Sequence, residues 1–294
     1  MTYYDFTAPP PGYRLPPDIQ LGPVLLQTAD LGRSLSYYER VLGLRPLESG
    51  PSRATLGAQG DTTPLVRMNE RPGAVPVPRR GRLGLYHFAV LLPDRASLGR
   101  FARHLASLGE YAGTADHLVS EAFYLTDPDG LGIEVYADRP RETWTVHGSK
   151  LAIVNAPLDI EDLAKAAGGQ QWSGAPPGTR VGHIHLFVDD LARASQFYHA
   201  GLGFDRINLD FPGALFMSAG GYHHHLGTNV WAASAPKATE GDARLLEWII
   251  QLSDQEGMQG AARSLESAGY DVTRSGADLV ATDPWGTNLR LTTV

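Results

Sequence analysis

The chain has 294 residues, 43% of them apolar, a formal charge of -7 and no cysteine. That length and apolar content support one large domain or two ordinary ones, while the absence of cysteine excludes a disulfide framework, thiolate metal sites and a catalytic thiol, leaving His, Asp and Glu as the strong metal ligands. The acidic balance is spread along the chain, which excludes the basic footprint of a nucleic-acid binder, and no apolar run reaches the roughly 20 residues that span a bilayer.

In chain order, residues 1–18 form a tail rich in Pro and Tyr, without the basic and apolar regions of a signal peptide. A cytoplasmic protein with a small-molecule partner is expected. A strand at 24–28 then precedes Asp30, placed as an N-cap, and a helix ended by Gly43. After a Pro- and Gly-rich stretch at 71–82 come a strand at 86–92 and a helix at 95–108. The turn Asp127-Pro128-Asp129-Gly130 next joins strands at 123–126 and 133–136 into a hairpin. A short helix at 159–167, capped by Asp159, and a second Gly-rich stretch at 168–178 lead to a strand at 184–188 and a helix opened by Asp190 and ended by Gly203. A strand at 246–252, a helix at 255–268 and a hairpin of 279–282 with 289–292 around Asp283-Pro284-Trp285-Gly286 complete the chain.

The two halves repeat each other. Asp30-Leu31-Gly32-Arg33-Ser34, Tyr38 and Leu42-Gly43-Leu44 recur as Asp190-Leu191-Ala192-Arg193-Ala194, Tyr198 and Leu202-Gly203-Phe204, and the two Asp-Pro-x-Gly hairpins repeat as well. Four strand-helix-hairpin modules follow. The predicted division is a tail at 1–18, a first domain at 19–150 holding modules one and two, a connecting segment at 151–178, and a second domain at 179–294 holding modules three and four.

Several polar residues stand out against apolar strands. Glu134 lies in a strand where an unpaired carboxylate is costly, so a ligand or salt-bridge role is expected. His87, in Tyr86-His87-Phe88-Ala89, reads as a hydrogen-bonded core residue or, paired with Glu134, as a ligand. His183 and His185 share one strand face, and His223-His224-His225 falls in the last strand of module three, where its members alternate between faces. Together these make an imidazole-rich second-half site suited to Fe, Zn, Ni or Cu. His117 reads as a loop residue and Tyr124 as a core residue with its hydroxyl at the rim. His104, His147 and His199 are assigned no role.

The stretch from His117 through Tyr124, Asp127-Pro128-Asp129-Gly130 and Glu134 resembles the extradiol dioxygenase signature: a His, a spacer, an apolar residue with Tyr, Asp-Pro-x-Gly, then Glu. Ala115 departs from its usual residue set. The resemblance covers essentially the whole chain and is closest to the two-domain catechol 2,3-dioxygenase-like branch of the glyoxalase/bleomycin resistance/dioxygenase (vicinal oxygen chelate) superfamily. It implies an α+β fold of four βαβββ modules paired into two vicinal oxygen chelate domains, and an enzyme that cleaves a catecholic aromatic ring with O2. It implies Fe(II), with Mn, Zn or Ni as alternatives, held by His87 and Glu134 within a set of two His and one carboxylate. His117 would be an acid/base group, Tyr124 a hydrogen-bond donor to the ring oxygens, and the chain a homodimer.

The sequence departs from that pattern at three places. Alignment of Gly182-His183-Ile184-His185 with Gly22-Pro23-Val24-Leu25 puts Pro23 where the third ligand belongs, with Gln27 as a weak oxygen donor nearby. In module four, Trp248 aligns with His87 and Arg290 with Glu134. Two further readings follow: a metal-dependent isomerase, lyase or hydrolase in the same cleft, or a metal-free protein that binds aromatics against Phe88, Tyr124, Phe216 and Trp231.

Overall fold

The computed structural model describes residues 6–294. Each expected module folds as a strand, a helix and three further strands. The first comprises Val24–Thr28, the helix Leu31–Arg40, and strands Arg45–Ser49, Arg53–Gly57 and Pro64–Glu70. The second comprises Gly84–Leu91, Arg95–Leu108, Gly113–Asp116, Ser120–Thr126 and Gly132–Asp138. In the third, Arg180–Phe187 leads through the helical residues Leu191–Ala194 and Ser195–Gly201 to Asp205–Ile207, Ala214–Ser218 and Leu226–Asn229. The fourth comprises Arg244–Leu252, Gln255–Ser267, Val272–Ser275, Asp278–Thr282 and Asn288–Thr293.

Local chemistry accounts for these boundaries. Asp30 and Asp190 cap their helices, accepting from Arg33 N and from Ala192 N and Arg193 N, a contribution of about 1 kcal/mol each. In the hairpins, Asp127 Oδ1 accepts from the backbone N–H groups of Asp129 and Leu131, and Asp283 Oδ1 from those of Trp285 and Thr287. A helix tyrosine latches each turn: Tyr38 donates to Asp127 at 3.1 Å and Tyr198 to Asp283 at 2.7 Å.

The modules pair into two open sheets, as vicinal oxygen chelate domains do, but the partners differ from the predicted division at 19–150 and 179–294. The leading strand of module two, Gly84–Leu91, runs antiparallel to that of module three, Arg180–Phe187. Modules one and four pair likewise through Val24–Thr28 and Arg244–Leu252. One sheet therefore holds modules two and three and the other modules one and four. The repeat specifies each module but not which neighbour its leading strand meets, and the stretches around 71–83 and 230–243 carry the chain between sheets. These crossovers run side by side, with Val75 bonded to Gly241 and Ala243, Leu83 bonded to Pro236 and Ala238, and Arg82 gripping Asp242 through two hydrogen bonds of 2.9 Å. Gln27 donates to the carbonyls of Glu240 and Asp242, so it serves this crossover.

The predicted tail is also integrated from residue 6 onward. Thr7–Ala8 adds a short edge strand beside Asp205–Ile207, Arg14 pairs with Asp205 at 2.7 Å, and Leu15 and Ile19 enter the core. Residues 1–5 lie outside the described residues. Among the described residues, no helix is long and apolar enough to cross a membrane.

Candidate metal centre

Strand register brings the candidate residues together. Glu134 lies opposite Ala89 on one side of the Gly84–Leu91 strand, and His183 lies opposite Ala89 on the other. Because side chains alternate along a strand, His87 projects from the same face as all three. His185, opposite His87, and Tyr124, opposite Glu134, complete that face. Register irregularities flank the 183–185 pairing on both sides, the kind of local bend that re-aims side chains beside sites. Two glycines permit the close approach: a Cβ on Gly132 would lie 1.9 Å from the Tyr86 carbonyl oxygen, and one on Gly227 would lie 2.8 Å from the His185 ring.

Three ligand atoms converge on this face. His87 Nε2 and His183 Nε2 lie 3.0 and 3.1 Å from Glu134 Oε2 and 3.3 Å from each other. All three residues are buried, and among the described residues they form the one group of His, Cys, Asp or Glu close enough to share a metal ion. Burial raises the Glu134 carboxyl, but the two imidazoles prevail and hold it well below the usual carboxylate range. Burial also lowers His87, against the pull of Glu134. The donor set therefore offers an ionised carboxylate and an uncharged imidazole together with His183. That composition fits a divalent cation, since a buried carboxylate without a lysine or arginine partner is otherwise costly. Among the described residues, the Nδ1 atoms of His87 and His183 have no hydrogen-bond partner. Packing orients the rings instead: His87 against Tyr86 and Tyr124, His183 against Tyr136 and His224.

The predicted second-half site does not form as a separate cluster. His183 joins the residues of module two, because modules two and three share a sheet. His185 sits beside His87 with ring centroids 5.0 Å apart, and its Nε2 accepts from Asn229 at 2.9 Å. His223, His224 and His225 precede the strand Leu226–Asn229 instead of lying within it, so strict alternation of faces does not apply. His223 bonds Asp138 at 2.9 Å and His224 at 2.7 Å. His225 turns away to accept from Ala219 N and stack on Phe204. Burial keeps His185 and His224 far below the usual imidazole range and lowers His225 to about 3, so all three are neutral near pH 7.

His117 and Tyr124 meet at the other side of His87. His117 Nε2 lies 2.6 Å from the Tyr124 hydroxyl and His117 Nδ1 2.6 Å from the Val154 carbonyl. A carbonyl only accepts, so Nδ1 carries the hydrogen, and in a neutral ring Nε2 then receives the Tyr124 hydroxyl hydrogen. Burial, reinforced by Glu134, pushes the Tyr124 phenol well above its usual range. Leu118, with φ +67°, occupies the left-handed region that places His117 at the hairpin tip.

His87, Glu134, His117, Tyr124, His185 and His224 line a cavity of about 370 Å3. Ile153 and Asn155, from the connecting segment, form part of its wall; the sequence reading gave that segment no role. Phe216 and Trp231 line it as expected, whereas Phe88 is fully buried and stacks on Tyr38. The third ligand position was legible in one respect: the first strand of module one lacks a histidine that module three has.

The equivalent place in the other sheet is closed by an ion pair. Arg290 lies opposite Ile249, two residues beyond Glu247, just as Glu134 lies opposite Ala89, two residues beyond His87. Glu247, and not Trp248, is therefore the counterpart of His87. Trp248 corresponds to Phe88, and each packs against the latching tyrosine of its half. Arg290 grips Glu247 through bonds of 2.8 and 2.9 Å, and Pro23 supplies no ligand.

Comparison with known proteins agrees with this architecture. The profile of the Glyoxalase/Bleomycin resistance protein/Dioxygenase superfamily matches residues 20–135 and 180–289, and the chain belongs to that superfamily. A catechol-2,3-dioxygenase of Bacillus subtilis (strain 168) is 42% identical over 270 residues, covering 91% of this chain and 94% of that protein. With a relative of that kind matching nearly end to end, this chain is an enzyme of the extradiol dioxygenase type. In solved structures, a putative dioxygenase from Bacillus subtilis matches 96% of the chain and 86% of its own with a TM-score of 0.64 at 15% identity. A glyoxalase I mutant from Zea mays matches 94% of both chains with a TM-score of 0.57 at 18% identity. At those identities the structures speak for the fold alone.

Proposed function

We propose that this enzyme opens the ring of a catechol-type diol with O2, using Fe(II) held by His87, Glu134 and His183. One observation carries the reading: a buried carboxylate oxygen and two imidazole nitrogens converge at 3.0 to 3.3 Å beside a cavity, with no lysine or arginine paired to Glu134 among the described residues. A set of two His and one carboxylate leaves coordination positions open. Bound there, Fe(II) supplies Lewis acidity, redox activation and a common template for diol and O2.

The chain's own residues supply the rest. A diol approaching the three ligand atoms meets Tyr124 on its flank. Its hydroxyl, kept protonated by burial and donating its hydrogen to His117 Nε2, accepts a hydrogen bond from a diol hydroxyl. His117, oriented by the Val154 carbonyl, takes its proton at Nε2 through that hydroxyl: the phenol passes its hydrogen to the imidazole and receives the diol's in exchange, and the transfer reverses later.

The reading is tested on protein prepared anaerobically and supplied with Fe(II), by measuring metal content, O2 uptake with catechol and the ring-opened product. Stoichiometric iron with matched O2 consumption is the expected result. Tight zinc or nickel without O2 uptake would replace it with isomerase or lyase chemistry. Aromatic binding with no metal in any preparation would leave the sequestering alternative.

A further inference from the structure

The cavity has two unlike ends. At one lie His87 and Glu134, two of the three candidate ligands, with His117 and Tyr124. The other begins one ring further on, where His185 contacts Phe216 and Trp231 at centroid distances of 5.5 and 5.9 Å. Tyr86 stands edge-on to Trp231 at 5.7 Å, and Phe211 closes the group at 5.6 Å from Phe216 and 6.0 Å from Trp231. Among the described residues the lining holds no lysine or arginine, and away from Glu134 and the histidines its polar side chains are uncharged ones such as Asn155. Arg79 and Arg80 act on the Tyr86 hydroxyl from outside the lining, and Lys150, beside Phe211, is paired with Asp210.

This aromatic end is held in place. The Trp231 backbone N–H bonds Asn229 Oδ1 at 3.0 Å and its indole donates to the Pro212 carbonyl at 3.2 Å. The loop carrying Phe211 is tied to the segment carrying Ile153 by Leu151 N to Asn208 O at 2.9 Å and by Lys150 to Asp210 at 2.7 Å. A cavity of about 150 Å3 already holds benzene, so 370 Å3 leaves room beyond a single ring.

Building on the proposed function, we infer that the enzyme selects diols whose ring bears an uncharged, apolar substituent, read by Phe211, Phe216 and Trp231, and rejects diols bearing a carboxylate. An apolar group there gains contact with aromatic faces. A carboxylate would lose its water and find no cationic partner.

The test compares 4-isopropylcatechol with 3,4-dihydroxybenzoate, which are close in size and differ in charge. Binding to the Fe(II) protein is measured anaerobically by calorimetry, and kcat/KM with O2 present. The isopropyl compound is expected to bind on the order of a hundredfold more tightly and to lead in kcat/KM by a similar factor. Trp231→Arg is expected to shrink that ratio at least tenfold while iron content stays unchanged. If the carboxylate bound within threefold of the isopropyl compound while unsubstituted catechol was still cleaved, the inference would fall and the dioxygenase reading would stand. If no diol bound and none was cleaved, both would fall together.

Discussion

Two buried glutamates, one in each sheet, show how a duplicated frame can be put to different ends. Glu134 faces two imidazoles and a cavity; Glu247, at 7% exposure, faces Arg290 in a two-bond grip. Each is a carboxylate taken out of water, and each needs positive charge nearby. In the second case the protein supplies it with a guanidinium, which fills the place. In the first it supplies only imidazoles, leaving room for a metal. The same strand geometry thus yields an open centre in the sheet of modules two and three and a closed one in the sheet of modules one and four.

The contrast is sharpest under ligand removal. Loss of partners behind a metal ligand typically costs about 10- to 100-fold in affinity or activity, so Glu134→Ala, His87→Ala and His183→Ala are each expected to cost roughly a hundredfold or more in iron affinity, read by metal analysis after dialysis. Glu247→Ala should leave iron content unchanged. Iron that survived His183→Ala would break the assignment of the third ligand to module three.

Next in size are the residues beside the proposed metal ligands. His117→Ala is expected to lower kcat about 100-fold, within the range of positioned acid-base groups, and Tyr124→Phe about tenfold, the size of one lost hydrogen bond, with iron content unchanged in both. Equal losses of iron and activity would instead make them structural.

On the closed side the expected effect is on stability. Arg290→Met leaves Glu247 without its cation, and because Arg290 is 22% exposed the cost should fall below the 3–5 kcal/mol typical of a fully buried pair, at about 2 kcal/mol. Denaturant unfolding of the iron-free protein measures it. Adding Glu247→Gln to the same chain should recover most of the loss.

The smallest effect concerns the frame that both halves share. Burial raises Asp127 to about 7, whereas an aspartate in an unfolded chain titrates near about 3.9. Between those values the folded protein holds a proton that the unfolded chain releases, so this carboxyl makes stability fall as pH rises from about 4 to 7. Asp127→Asn should flatten that fall, measured by denaturant unfolding at pH 4, 5.5 and 7. An unchanged pH dependence would show that the turn tolerates the charge.

Much of this was legible in residues close together in the chain. The Asp caps, the Asp-Pro-x-Gly turns and the helices between them rest on side chains reaching backbone a few residues away, and Glu134 announced itself as a carboxylate in an apolar strand. The counterpart of His87 was misread by one position, at Trp248 in place of Glu247, because counting along a strand does not reveal where its register against the neighbouring strand begins. His223 to His225 were expected in a strand but lie ahead of it, and a one-residue difference in such a place redirects every side chain.

The sequence by itself determined four modules, their internal order and the residue types able to hold a metal, since each depends on short-range periodicity, capping and turn chemistry. Tertiary structure alone decided that module two meets module three. Pairing of leading strands is a contact between edges far apart in the chain, made through backbone groups that look alike in every strand. That pairing puts His183 beside His87 and Glu134, and lets the segment carrying Ile153 and Asn155 wall the cavity.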